Sequence, residues 1–289
     1  MGLTSQPLLP GMEPQSLSGA MHLVERAPPM VPSNGPVTLH EELVLGRRAL
    51  LAKFRSAPTR TLAAGELLTE TGSSHEIFHL TTGWACQFRE FSDADLTIVD
   101  VYLPATVIGL DAILRSRSSE KVTTLSSAAI EVIDTKDALI ELMSCRSTAL
   151  YIAWLLGQRQ RRSDRLLAAM SSLDARGRVA TMLLDFYLRL RRQKLITGST
   201  YNLPLTQIQI GAYLGLTVAH LNRVLRSLRE DQIVNLEKHC VTILDIERLS
   251  RLARNAPASA NATNERSLEV PMPRRDWATQ IKDDSVHPN

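Results

Sequence analysis

The sequence predicts an α+β chain: an N-terminal antiparallel β-roll, a long helix, and a C-terminal winged helix-turn-helix. Three observations predict it. Between residues 59 and 133, short runs of β-branched and aromatic residues alternate with turn residues, as in a small antiparallel barrel or roll. After Asp137 the apolar period becomes helical and holds as far as Met170. Residues 206–228, "TQIQIGAYLGLTVAHLNRVLRSL", contain two helix-start signals with a glycine between them.

Taken in order, residues 1–36 are rich in Pro, Gly and Ser and are expected to be disordered, as is the tail 255–289. "HEELVLGRRALLAKF", residues 40–54, reads as a short amphipathic helix opening a β-roll region over 37–136. Strands are expected at 77–80, at 84–91 after Gly83, at 96–103 after "SDAD", and at 130–133. Residues 137–171 form the long helix. On it Leu142, Cys145, Ala149, Ile152 and Leu156 recur by threes and fours, and Ser163, Leu167 and Met170 resume past Gln160. This is the period of a coiled-coil seam, and with "QRQRRSDR" around it the helix calls for a partner. The expected dimerisation residues are Leu142, Ala149, Ile152, Leu156, Ser163, Leu167 and Met170.

The last region, 172–254, opens with a helix over 175–194 that carries Val179, Leu183, Phe186 and Leu190 on one face. Thr206 can cap a helix starting at Gln207, and Gln209 stands where a capping box places Glu or Gln. Gly215 allows a left-handed turn, and Thr217 is the next cap. Two helices crossing around so short a turn approach closely, which favours a small residue such as Gly211. In the second helix Leu221, Val224, Leu225 and Leu228 form the inward stripe. That leaves Val218, Ala219, Asn222, Arg223 and Arg226 outward, with His220 at the flank. Arg can donate two hydrogen bonds to guanine, Asn can pair with adenine, and an aliphatic group can meet a thymine methyl in the major groove. Thr206 and Gln207 are placed to reach the nucleic-acid backbone, while Thr217, Val218, Ala219, His220, Asn222, Arg223 and Arg226 are the remaining contact candidates. "QIVNLEKHCVTILD" follows as two strands around a turn at 237–239, a wing whose Lys238 can touch phosphate.

Charge follows the same division. Residues 1–150 hold 12 basic and 17 acidic side chains, whereas 151–254 hold 17 and 8. Basic excess therefore lies with the two-helix motif, where release of counterions from phosphates would drive binding.

"LPLTQIQIGAYLGLTVAHLNRVLRSLREDQIV" resembles the C-terminal winged helix-turn-helix of the Crp/Fnr superfamily of bacterial transcription regulators. "HEIFHLTTGWACQFREF", "VDVYLPATVIGL" and "LSSAAIEVID" follow the order of that family's β-roll, and the likeness spans roughly residues 40–254. The resemblance implies a sequence-specific, homodimeric DNA-binding regulator, with double-stranded DNA, a second copy and RNA polymerase as partners and the long helix as the dimer interface. It also bears on the effector. Members that bind cyclic nucleotide carry a Glu for the ribose and an Arg paired with Ser or Thr for the phosphate. Here Gly109 is kept, Leu110 stands in the Glu position, and Ser118 stands nearest the Arg position, with Arg117 one residue off and so turned to the opposite strand face. No cyclic nucleotide is expected. The iron–sulfur branch needs cysteines upstream of Cys86, and none is present.

Cys86, Cys145 and Cys240 are odd in number and widely spaced, which argues against a disulfide framework and for a reducing cytoplasm. No run approaches the roughly 18 apolar residues of a membrane span, and Pro7, Pro10 and Pro14 interrupt the segment where a signal peptide would need an apolar run. His75 and His79 point the same way on a strand but lie about 13 Å apart, too far to share one ion. No cofactor, metal site or catalytic constellation is expected. A regulator gated by an unknown small-molecule effector, haem or cyclic nucleotide is the alternative reading, with a β-roll metalloenzyme more remote.

Overall fold

The computed structural model describes residues 38–69, 76–90, 96–113 and 121–253. The expectations for residues 1–36 and 255–289, and those for His75, Arg117 and Ser118, lie outside the described residues.

Helix α1, Leu39–Arg55, begins at Thr38 with a reciprocal cap: the Glu41 amide donates to the Thr38 hydroxyl at 3.3 Å and the Thr38 amide to the Glu41 carboxylate at 2.8 Å. It buries Leu43, Leu50 and Phe54. The roll follows as β1 (Thr59–Leu62), β2 (Leu67–Thr69), β3 (Glu76–Thr82), β4 (Ala85–Glu90), β5 (Leu96–Tyr102), β6 (Thr106–Ile108), β7 (Lys121–Thr124) and β8 (Ala128–Asp134). Among the described residues these make two antiparallel sheets, ordered β1-β8-β3-β6 and β2-β7-β4-β5. Side chains alternate across β3, which sets the layers: Phe78 and Leu80 enter the core with Tyr102, Val122 and Ile130, while Ile77 joins Leu50, Phe54 and Ile133 on the helix side. The expected strands are all present. Strands β1, β2, β6 and β7 escaped the sequence because they are three or four residues long, and β1 is exposed along nearly all its length, leaving no alternation to read.

The long helix departs from expectation. It is two helices, α2 (Thr135–Ser144) and α3 (Arg146–Ser172), separated by Cys145 in extended conformation. The Ser144 hydroxyl donates back to the Ile140 carbonyl, and the Cys145 thiol caps nothing. Cys145 therefore belongs to no seam. Nor is the Arg-rich flank of α3 wholly outward. Arg159 donates to the Gln87 side chain at 2.7 Å and lies 3.6 Å from Asp100, and Arg162 lies 3.8 Å from the same carboxylate, so both turn toward the roll.

Helix α4, Ala175–Arg192, starts at Asp174, whose carboxylate accepts from the Gly177 amide at 2.8 Å. It is followed by β9 (Thr200–Asn202), α5 (Gln207–Leu214), α6 (Val218–Glu230), β10 (Val234–Glu237), β11 (Cys240–Ile243) and α7 (Ile246–Leu252). Strand β9 was not foreseen; only Tyr201 of its three residues is buried, and it extends the wing to the order β10-β11-β9. One apolar cluster joins Trp84, Cys86, Ile98, Val101 and Leu103 of the roll region to the interior of this C-terminal domain. Across that junction Trp84 meets Phe186 edge-on at 5.5 Å, Phe186 stacks on Tyr213 at 6.2 Å, and Arg189 donates to the Val101 carbonyl at 3.1 Å.

Candidate nucleic-acid interface

Local chemistry sets the two helices. The Gln209 amide donates to the Thr206 hydroxyl at 3.2 Å and the Thr206 amide to the Gln209 side chain at 2.8 Å, so α5 has its capping box. Such a cap stabilises a helix by about 1 kcal/mol. The helix ends at Gly215, which adopts φ 63° and ψ 40°, and the Leu216 amide returns to the Gly211 carbonyl at 3.0 Å. A Cβ on Gly211 would lie 2.5 Å from the Leu216 carbonyl oxygen, so the turn closes only over a glycine there. Helix α6 starts at Thr217, whose hydroxyl accepts from the His220 amide at 3.2 Å.

The amphipathic division of α6 then follows from its period. Leu221, Val224 and Leu228 are buried and Leu225 packs partly against the same cluster. Val218, Ala219, His220, Asn222, Arg223 and Arg226 are exposed, together with Thr206, Gln207 and Thr217. The two threonine hydroxyls each accept a capping bond, which leaves their O–H free to donate outward. Arg223 donates its Nε–H to the Ala219 carbonyl at 3.4 Å and remains exposed. The wing turn places Lys238 and His239 both in the left-handed region, at φ 46° and 65°, as a two-residue hairpin requires. The strain is offset at His239, whose Nδ1 hydrogen-bonds the Leu203 carbonyl at 3.1 Å. Lys238 is exposed at the tip.

Two residues that the sequence reading missed hold the far end of α6. Arg176 donates to the Ser227 hydroxyl at 3.0 Å and also to the Asp231 carboxylate, and Arg248 donates to the Asp231 carbonyl at 2.8 Å. Arg176 lies 51 positions from Ser227. No local spacing marks such a pair.

The expected dimer residues divide. Leu167 is 65% exposed and Ser163 is exposed, whereas Ala149 is half-buried. Ile152 is only 4% exposed and sits with Leu50, Phe54 and Ile77 in its own chain's core, and Leu156 packs against that cluster. Met170 is also engaged within the chain, its Cε lying 3.5 Å from where a Cβ on Gly215 would stand. Leu142 falls in α2, apart from the others. The outward ridge of α3 instead passes through Ala153, Gly157, Gln160, Asp164 and Leu167, all exposed and spaced by fours and threes. The helix carries two stripes spaced by threes and fours, one through Ile152 and one through Ala153, and the packing of Leu50 and Phe54 of α1 decides that the first is buried.

In the roll, Leu110 is 6% exposed among Leu50, Ile77 and Ile133. A carboxylate there would be buried among apolar groups. His79 hydrogen-bonds the Glu131 carboxylate at 2.9 Å and faces the Phe54 ring. Burial holds its imidazole below its ordinary range, against the pull of Glu131 and with a smaller push from Arg47 and Arg55. Among the described residues no cluster of three or more His, Cys, Asp or Glu is arranged to hold a metal ion, and no helix is long and apolar enough to cross a membrane.

Residues 177–252 match the family described as the Crp-like helix-turn-helix domain. The transcriptional regulatory protein btr of Bordetella pertussis is 26% identical over 166 residues, covering 56% of this chain and 67% of btr. The transcriptional activator Anr of Pseudomonas protegens is 24% identical over 198 residues, 67% of this chain and 80% of its own. Among solved structures, FixK2 from Bradyrhizobium japonicum superposes with a TM-score of 0.62 at 20% identity, over 69% of this chain and 98% of FixK2. A CooA mutant from Carboxydothermus hydrogenoformans gives 0.55 at 13% identity, over 70% and 90%.

Proposed function

Because the chain belongs to the Crp/Fnr superfamily of DNA-binding transcription regulators, we propose that it acts as a homodimer on a pseudo-palindromic site, reading base edges with the outer face of α6. The observation that carries this reading is the presentation of that face. Its N-terminus is capped by Thr217, its C-terminus is held by Arg176 and Arg248, and every polar side chain from His220 to Arg226 on the outer side is exposed. A helix fixed at both ends saves the backbone ordering cost at binding and leaves only the side-chain cost of Asn222 and Arg223. Lys238 at the wing tip, with Thr206 and Gln207, supplies backbone contacts. Half-sites one helical turn apart, about 34–36 Å, suit a two-fold dimer.

The roll is the effector-like half. Leu110, buried where the family's nucleotide-binding members place a Glu, supports a domain that does not take cyclic nucleotide. The test is a randomised-site selection with the full chain, followed by fluorescence anisotropy on the enriched duplex with and without cyclic AMP. A palindromic consensus is expected, with cyclic AMP changing affinity less than about threefold, roughly 0.7 kcal/mol. Failure to enrich any sequence would reject specific recognition, and a saturable micromolar response to the nucleotide would reject the reading of the roll.

A further inference from the structure

Where β5, α3 and α4 converge there is a solvent-open cleft with about 20 Å³ of enclosed space. It is lined by three guanidinium groups, Arg162, Arg165 and Arg189, and two carboxylates, Asp100 and Asp185, with Tyr213 of α5 beside them. The carboxylates are already shared. Asp185 lies 3.3 Å from Arg189 and 3.7 Å from Arg165, and Asp100 accepts the Val101 amide with one oxygen while Arg159 and Arg162 approach the other at 3.6 and 3.8 Å.

Arg162 comes out of this division unsatisfied. Among the described residues its one ion pair is beyond hydrogen-bond length and its buried Nε has no hydrogen-bond partner. A buried N–H without an acceptor is costly, and a second cation beside it adds repulsion. Burial and then the neighbouring Arg189 both disfavour its charged form, and Asp100 and Asp185 only partly restore it. The donors outnumber the acceptors in the cleft, and its enclosed space is small enough that an occupant would sit largely at the open mouth. A planar oxyanion matches what Arg162 lacks, since carboxylate and phosphate oxygens accept from guanidinium groups in pairs.

We propose that this cleft binds a small oxyanion, a carboxylate or a phosphoryl group, held by Arg162 with Arg165 and Arg189 at the junction of the roll and the DNA-binding domain. The occupant would tie Asp100's strand, α3 and α4 together next to Tyr213 of the first motif helix. Its effect on operator binding rests on the proposed DNA reading; its binding does not, and is measured without DNA.

The experiment follows the thermal midpoint of the full chain, and calorimetric titration, with inorganic phosphate and with citrate at ionic strength held constant by sodium chloride. Both anions also strengthen burial generally, so saturation and the variants decide. Expected is a saturable rise with a half-point at or below the low millimolar range. Phosphate alone would mark a phosphoryl site and citrate alone a carboxylate site. Arg162→Met, which removes the unpartnered charge and keeps the stem, should abolish the response, and Arg165→Met at the partly exposed mouth should weaken it at least threefold whether or not the first variant folds. The double variant Arg223→Ala/Arg226→Ala should respond as wild type. No saturable response to either anion, an unchanged one in Arg165→Met, or its loss in the double variant would overturn the site.

Discussion

At the scale of single residues, the proposed DNA-binding role gives the two arginines on the outer face of α6 different expected work. Arg223 is steadied by the Ala219 carbonyl one turn back, while Arg226 is exposed and makes no hydrogen bond among the described residues. Truncating Arg223 to Ala is expected to cost about 1–3 kcal/mol on the best site and to relax preference at one guanine per half-site. Truncating Arg226 should weaken all sequences alike and flatten the salt dependence by about one unit. Binding selections on both variants check this, and equal loss of preference would show the roles wrongly divided. Ala219 adds a second expectation. Having no carboxylate, it cannot accept from cytosine N4, and with Val218 it offers an apolar surface suited to a thymine methyl. Ala219→Glu should shift the selected base there toward a C·G pair and weaken the native site, because a carboxylate facing thymine is desolvated without a donor. An unchanged consensus from that variant would remove Ala219 from the readout.

At the scale of elements, α3 has two faces with opposite sensitivities. Ile152 supports the fold of its own chain, whereas Ala153 and Leu167 stand on the exposed ridge. Leu167→Glu, alone or with Ala153→Glu, should give a folded monomer by light scattering with native circular dichroism. Ile152→Glu should lose helicity and thermal stability, because a charge is placed among Leu50, Phe54 and Ile77 without a partner. A Leu167→Glu dimer of wild-type mass would place the interface elsewhere. The same helix shows what sequence can and cannot disclose. The motif of α5 and α6 was legible because Thr206, Gln209, Gly215 and Thr217 act within a few residues of themselves. Ile152 as core and Arg176 as the clamp on Ser227 were not, since each depends on a neighbour remote in the chain, and the break at Cys145 has no Gly or Pro to mark it.

At the scale of the whole molecule, pH acts through a pair in the roll. The His79 imidazole is held below its ordinary range mainly by burial, so the unfolded chain takes up its proton first on acidification. Stability from this group is fully present above about 6.5 and falls as pH drops from there through the lowered folded value. Urea midpoints between pH 7.5 and 5 should decline, and His79→Gln, which keeps a donor for Glu131, should flatten that part of the curve. A wild-type midpoint that rises on acidification would reverse the assignment.

The aromatic run from Trp84 through Phe186 to Tyr213 has a consequence for anyone who would treat the DNA-binding half as a detachable module. Cutting the chain at Leu173 would bare Phe186 of α4, which Trp84 now meets, and the side of α5 packed on β5, so the fragment 174–253 should self-associate more than the full chain. Calorimetry of the intact protein should likewise give one endotherm rather than a separate peak for each half, since neither keeps a complete interior without the other.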